Sequence, residues 1–491
     1  MTRLISLACL LLAVPVLGVF GSWLALDAAS LAVLQHQAET VLPAYARNSL
    51  LLALAVAVGT GLMGSLSAAL VSLFDFPGRR QFEWALLLPL AMPAYVLAYA
   101  ATDFLQYSGP LQTGLRALTG AQGALWPDVR SLWGAALMFV LTLYPYVYLL
   151  TRAALSERGV QLMEAARLLG AGTARRVREV ALPLARPAVA AGVALALMET
   201  LADYGVGAYF GLQTLTTGIY KAWLVMNDRD AAAQLASLLL LGVAVLIWLE
   251  RRAQRRLRFA TSRPGGGAGT EARPVVLRGG AAAVAVGLCA LPVLLGFVLP
   301  VAVLLHLVWQ EAQASESGLL GGLPWARFGP WAWTSFKLAG LAALLATGLA
   351  LVLAFGLRLP PPAAAEGSAV TVAGRRVANG ALRLAARIVG LGYAVPGAVI
   401  AVGILLPVGW LQVHWPQAGT TALVTGTLFG VMYAYLVRFG AVALQSVEAG
   451  YARVSPHIDE TARMLGGSRR RIFTELHAPL LQRAALSAML L

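Results

Sequence analysis

Eleven apolar runs, each near the length that crosses a bilayer, divide this 491-residue chain. They fall at roughly 4–26, 48–72, 82–103, 132–151, 187–204, 231–249, 280–308, 333–357, 384–407, 421–442 and 484 to the end. A helix needs about 20 mostly apolar residues to cross a hydrocarbon core about 30 Å thick. Inside that core every backbone N–H and C=O must be satisfied within the protein, and a continuous apolar run does this as a helix. The composition agrees: 12% of residues are charged and the mean hydropathy is +0.74, where soluble domains carry about 25% charged residues. An ordinary soluble protein is excluded, and an all-α polytopic membrane protein is expected. The two cysteines, Cys9 and Cys289, sit inside apolar runs, which excludes a disulfide scaffold. The first run has the length of a signal peptide, but its only preceding charge is Arg3 and no clear cleavage site follows. A retained first helix is expected.

The net charge of +15 comes from 37 Lys+Arg against 22 Asp+Glu. These cations lie in short segments between apolar runs, not on one face of a soluble domain, so nucleic acid is not an expected partner. With the N-terminus in the cytoplasm, the inside segments 1–3, 73–81, 152–186, 250–279, 358–383 with Arg387, and 438–483 hold 30 of the 37. That bias predicts a multi-pass protein with a cytoplasmic N-terminus.

A repeat organises the chain. Residues 164–187, EAARLLGAGTARRVREVALPLARP, match 460–483, ETARMLGGSRRRIFTELHAPLLQR, at a constant offset of 296. Glu164, Ala166, Arg167, Leu169, Gly170, Glu179 and Pro183 recur as Glu460, Ala462, Arg463, Leu465, Gly466, Glu475 and Pro479. AMPAYVLA at 91–98 resembles AVPGAVIA at 394–401, and NSLLLALA at 48–55 faces TSFKLAGL at 334–341. Matching Leu155 to Leu444 makes the loop before the second copy about seven residues longer. Two homologous halves are therefore expected, 1–249 and 280–491, joined by a basic, Gly-rich linker at 250–279. Eleven helices of an expected twelve are counted, because only 31 residues follow Glu460 where 86 separate Glu164 from Glu250. On this argument roughly fifty residues of the second half lie beyond the sequence.

Each copy reads as a helix–turn–helix elbow. Glu164, Arg167 and Leu168 share a helical face, Gly170 and Gly172 permit a turn, and Thr173 is placed to cap a second short helix. An ordinary basic loop does not repeat at identical spacing. The pattern of EAA, then Gly at +6, then Leu-Pro ending at +19 resembles the EAA loop of ABC importer permeases. The resemblance implies that the coupling loops, about 155–186 and 445–483, dock ATPase subunits. It assigns the docking to Glu164, Ala165, Ala166, Gly170 and Pro183, and to Glu460, Thr461, Ala462, Gly466 and Pro479. The second copy departs from the pattern at Thr461 and at Ala478. The chain has no P-loop of its own, since Lys221 and Lys337 are its only lysines and are followed by Ala and Leu. A transport subunit without enzymatic activity is expected, its ATP hydrolysed by a partner and its cargo brought by a periplasmic or lipid-anchored binding protein.

The segment METLADYGVGAYFGLQTLTTGIYKAW, 198–223, carries the candidate pathway. With Pro187 as the end of its helix, Glu199 lies about 18 Å and Asp203 about 24 Å along, one turn apart on one face. Carboxylates at such depth face an aqueous path, or form a structural hydrogen-bonding pair at a hydrated helix end. Glu199, Asp203 and Tyr204 are the candidates, with Tyr209 as a further hard oxygen donor. Residues 198–236 resemble the ferric-iron branch of two-half fused permeases, which implies ferric iron as cargo. Thiamine, a polyamine, sulfate or a phosphonate stand as alternatives, and a secondary transporter stands as the rival class. No cofactor and no resident metal site is expected. Pro93 and Pro396 are placed mid-helix as kinks. Tyr144, Tyr146 and Tyr148 read as core, with a pathway role as the alternative.

Overall fold

The computed structural model describes residues 2–25, 28–155, 160–255, 274–314, 324–358, 389–390, 392–452 and 454–490. Among them, eight helices are long and apolar enough to cross a membrane: Leu42–Leu73, Leu132–Ala154, Val177–Ala202, Arg229–Arg252, Gly280–Ala314, Trp325–Arg358, Gly397–His414 and Leu428–Tyr451. A ninth candidate is a broken pair, Arg79–Ala91 with Ala94–Thr119, bent by 91°. The protein is an all-α polytopic membrane protein, and the expected runs fall on these helices. The first run forms the helix Thr2–Gly21 and the last the helix Ala478–Leu490. Residues 384–388 and 391 of the ninth expected run, 156–159 of the first coupling loop and 256–273 of the linker lie outside the described residues.

Two expectations are corrected. Pro93 and Pro396 are not mid-helix kinks. Each is the N-cap of a new helix, Ala94–Leu105 or Gly397–His414, with extended ψ of 135° and 143°. Each follows a 3-10 turn, Leu88–Ala91 or Gly392–Ala394. A proline has no N–H to give the preceding turn, so it begins a helix more readily than it continues one. The second correction concerns register. Leu132–Ala154 and Leu428–Tyr451 superpose in number at the same offset of 296 as the elbows that follow them. The loop before the second elbow is therefore not longer; matching Leu155 to Leu444 is a false register within an apolar helix.

By contact, the chain divides into two compact units. The first comprises Met1–Ala32, Asn227–Ser237 and Pro324–Leu491, and the second Val33–Met226 and Leu238–Leu323. In the second unit, Leu132–Ala154 packs between Leu42–Leu73 and the helix Leu182–Ala202. Gly64 makes this close: a Cβ there would lie 2.6 Å from Val147 Cβ and 2.8 Å from the Tyr144 carbonyl. Small residues let helices approach where no hydrophobic force drives them together. In the first unit, Leu428–Tyr451 packs likewise against Trp325–Arg358 and Ala478–Leu490.

The first long helix of each sequence half packs in the unit built mainly from the other half. Thr2–Gly21 lies along Gly397–His414, so close that a Cβ on Gly403 would run into the Pro15 carbonyl. The Tyr433 hydroxyl donates to the Leu11 carbonyl. In the second unit, Gly280–Ala314 packs on Ala94–Leu105 and places Cys289 and Val293 against Leu86, Tyr144 and Tyr148.

Tyr144 and Tyr148 are fully buried. Their hydroxyls donate to the carbonyls of Leu86 at 2.8 Å and Glu83 at 3.1 Å. Arg79–Ala85 ends there and Pro89 supplies no N–H, so both carbonyls need an outside donor. Core packing is thus the role of these two tyrosines. The end of the linker is pinned too: Val275–Val276 pairs as a short parallel strand with Phe74–Asp75, and Leu277 N–H donates to the Asp75 carbonyl at 2.8 Å.

Candidate functional site

The two elbows share one backbone pattern at the helix stop. The first begins with the helix Val160–Leu168 and the second with Pro456–Met464. At the first stop, Leu169, Gly170 and Ala171 N–H donate to the carbonyls of Ala165, Arg167 and Ala166 at 3.1, 2.9 and 3.0 Å. At the second, Leu465, Gly466 and Gly467 donate to Thr461, Arg463 and Ala462 at 3.0, 3.0 and 2.9 Å. Gly170 has φ +81° and Gly466 φ +77°, the left-handed residue of this helix stop. Nothing lies within 4 Å of a Cβ built on either, so the backbone conformation, and not the space, asks for glycine.

Beyond each turn comes a short helix, Thr173–Arg176 or Arg469–Arg471, that widens into a π turn, Val177–Ala181 or Ile472–His477. Pro183 and Pro479 then stand second in the helices Leu182–Ala202 and Ala478–Leu490. A proline ring collides with the carbonyl four residues back in a regular helix, and widening the preceding turn relieves this. An exposed ion pair clips each short helix: Arg175 Nε to Glu179 at 2.9 Å, and Arg471 Nε to Glu475 at 2.8 Å. Thr173 is not the expected cap; it lies inside the short helix and its hydroxyl accepts from Arg176 Nη2 at 3.0 Å.

The tips are open. Glu164, Ala165, Glu460 and Thr461 are exposed, and Ala166 and Ala462 are half-buried. Next to them Leu168 and Leu169 are 89% and 88% exposed, and Met464 and Leu465 88% and 83%. Single exposed leucines are ordinary; here an adjacent apolar pair is exposed at the same place in both elbows. Leu169 lies beside the motif residues, and its recurrence as Leu465 is the sequence signal that marks it.

The bases of the elbows differ. The first rests on an apolar cluster of Leu73, Leu155, Met163, Ala181 and Ala185. The second rests on polar groups beside a smaller apolar cluster of Phe355 and Ile472, and Ile472 stands where the first elbow has the buried Arg176. Arg358 Nε donates to Asp459 Oδ2 at 2.6 Å, and His477 Nε2 lies 2.6 Å from Asp459 Oδ1. The Tyr451 hydroxyl lies 3.1 Å from His477 Nδ1. Arg358 also donates to the carbonyls of Tyr451, Val454 and Ser455 at 2.9, 2.8 and 3.0 Å.

The structure redraws the candidate pathway segment. Pro187 lies within the helix Leu182–Ala202 and does not end it, since a spanning helix tolerates one missing hydrogen bond. Glu199 is on this helix and half-buried. Asp203 is not one helical turn above it, because the helix stops at Ala202 and Asp203 is extended. Its Oδ1 accepts from Val206 N–H at 2.8 Å, in the first turn of the helix Gly205–Tyr209, whose N-cap is Tyr204. Tyr204 lies against Tyr220 with tilted rings and centroids 4.0 Å apart, while Tyr209 has the Arg130 guanidinium 5.2 Å from its ring centre. Thr214 and Thr217 form a capping box for Leu215–Tyr220. Asp203, Thr200, Thr214, Thr216 and Ser49 line a small cleft whose other walls include Leu52, Phe139 and Leu212; only Asp203 of these is marked by charge and spacing in the sequence.

Residues 60–259, which include the first elbow, match the family described as "Binding-protein-dependent transport system inner membrane component". The chain is 26% identical over 200 residues to the Fe(3+)-transport system permease protein FbpB 2 of Haemophilus influenzae, covering 41% of this chain and 35% of that protein. It is 27% identical over 221 residues to the sulfate transport system permease protein CysT of Salmonella typhimurium, covering 44% of this chain and 77% of the relative. It is 27% identical over 192 residues to the putative 2-aminoethylphosphonate transport system permease protein PhnU of Salmonella paratyphi A, covering 38% and 66%. The match thus spans about a third of the length of the iron relative. Over residues 60–259 the chain is thus similar to inner membrane components of binding-protein-dependent transport systems.

Proposed function

We propose that this protein is the membrane permease subunit of an ATP-driven importer, made of two homologous halves, 1–249 and 280–491, in one inner-membrane chain with its N-terminus in the cytoplasm. The two elbows are its cytoplasmic docking points for ATPase subunits. The observation that carries this is the repetition of the elbow in three dimensions: the same helix stop, π turn and ion pair 296 residues apart, each with an open acidic and apolar tip. Nucleotide-driven closure of the ATPase pair moves the elbows, and ATP acts only through contacts that differ between outward-open and inward-open states. Glu164, Ala165, Ala166 and Gly170, with Glu460, Thr461, Ala462 and Gly466, form the docking tips. Pro183 and Pro479 set the joint with the spanning helices. A binding protein at the outer face delivers the cargo.

Ferric iron is the cargo proposed. Its support is the likeness of 198–236 to ferric permeases and the hard oxygen groups of Glu199, Asp203 and Tyr204 along that segment. The sulfate and phosphonate relatives make oxyanions the competing cargo. The test is ATP hydrolysis in proteoliposomes holding the chain with its ATPase, with ferric-loaded or empty binding protein outside. Stimulation by the ferric form alone supports the proposal. ATPase association without ferric stimulation keeps the importer and discards iron. No ATPase association discards the importer and leaves a secondary transporter. A Glu164→Ala, Glu460→Ala double variant is expected to insert normally and to lose coupling.

A further inference from the structure

At three equivalent positions the two elbows carry opposite chemistry. In the register of 296, Tyr451, Asp459 and His477 replace Leu155, Met163 and Ala181, the apolar residues under the first elbow. In the register that pairs Ser49 with Ser335, Arg358 falls at Ser72. We propose that Arg358, Asp459, His477 and Tyr451 form a clamp that fixes the second elbow rigidly to the span Trp325–Arg358, and that this makes the second elbow the stiff lever of the pair. This rests on the importer reading for the word lever, but not for the clamp.

The geometry supports a clamp because it is closed. Its four side chains come from four elements: the span Trp325–Arg358, the span Leu428–Tyr451, the elbow helix Pro456–Met464 and the π turn Ile472–His477. His477 is fully buried, and the side chains of Asp459 and Arg358 are 9% and 15% exposed. A carboxylate only accepts, so Nε2–H of His477 donates to Asp459, and the Tyr451 hydroxyl pairs with His477 Nδ1 at 3.1 Å. Both Asp459 oxygens are then used. Arg358 uses three further donors on the carbonyls that end the Leu428–Tyr451 helix and the turn after it. Phe355 closes the apolar side, with ring centres 5.0 Å from Phe473 and 5.4 Å from His477. Apolar packing of the first kind permits sliding. A charge-assisted network with fixed donor directions does not, because every displacement leaves a buried charge unpaired.

The test is hydrogen exchange of the two elbows in the full chain in lipid nanodiscs, followed by coupling with the ATPase. Asp459→Asn places an NH2 group against a donor and strands Arg358. Exchange protection over 456–466 is expected to fall about a hundred-fold or more, as when one partner of a buried ion pair is removed, with 160–170 unchanged. In the ATPase complex the KM for ATP is expected to stay constant, while ATP consumed per cargo moved rises about ten-fold, a coupling loss of ordinary allosteric size. Unchanged exchange at the second elbow, equal loosening of both elbows, or loosening with unchanged coupling would each overturn the proposal. Arg358→Ser, Tyr451→Leu, Asp459→Met and His477→Ala together install the first elbow's residues and guard against a single variant that fails to fold. That variant is expected to fold with protection but to keep the raised ATP cost. Normal coupling in it overturns the clamp. Failure of the parent to bind any ATPase sinks the importer reading, and the exchange measurement still decides the clamp.

Discussion

Gly170 and Gly466 stand 296 residues apart, adopt the same left-handed φ, and each donates its N–H to the arginine carbonyl three residues earlier. A non-glycine residue in this conformation costs about 1–2 kcal/mol. Since a Cβ would meet nothing, the cost is conformational alone. Gly170→Val is expected to loosen the first elbow, and Gly170→Asn, which tolerates the left-handed region better, to loosen it less. Exchange rates over 160–172 check the order, and Gly466 variants are expected to repeat it in the second elbow.

The apolar tips predict a separation of docking from folding. Leu168→Asp with Leu169→Asp changes two side chains that touch little, so thermal stability should move by no more than about 0.5 kcal/mol. Burying one leucine in a partner contributes about 1.5–3 kcal/mol. ATPase affinity is therefore expected to fall by a hundred-fold or more. A binding titration in detergent checks it, and the Met464→Asp, Leu465→Asp pair should act alike.

Tyr144 and Tyr148 each cap a carbonyl at the helix break before Pro89. Tyr144→Phe keeps the ring and leaves the Leu86 carbonyl without its donor, at a cost of about 1–3 kcal/mol. Tyr148→Phe is expected to cost less, because its bond to the Glu83 carbonyl is only part-buried. Thermal unfolding of the purified variants orders them.

What was legible in the sequence follows from how far each signal reaches. A span must carry its own apolar length, so hydropathy finds it wherever it packs. The elbow was legible because turn, joint and charge recur at fixed offset. Hydropathy does not name partners, so nothing announces that Thr2–Gly21 packs on Gly397–His414, or Gly280–Ala314 on Ala94–Leu105. Nor does it distinguish a proline that kinks a helix from one that begins it, which is how Pro93 and Pro396 mislead. Asp203 misleads for a related reason: its period places it above Glu199, but the chain leaves the helix there and its carboxylate accepts from Val206 N–H in the next one. The clamp under the second elbow stays hidden because Arg358 is 93 residues or more from the groups it holds.

Those groups also predict an acid sensitivity confined to one elbow. Burial acts to raise the Asp459 carboxyl, but hydrogen bonds from Arg358 and His477 outweigh it and hold the group below its ordinary value of 3.8. A carboxyl with a depressed folded value binds protons more tightly in the unfolded chain. Its contribution to stability is therefore fully present above the ordinary value and is lost as pH falls through the depressed one. The parent and Asp459→Asn should thus differ most in melting temperature near neutral pH, and the gap should begin to close once pH falls below about 4. Melting curves of both proteins from pH 7 to pH 3 test the sign. A gap that widens on acidification would mean that Asp459 is not held ionised by Arg358 and His477. Met163, at the equivalent place under the first elbow, has no proton to exchange, so Met163→Leu should track the parent at every pH.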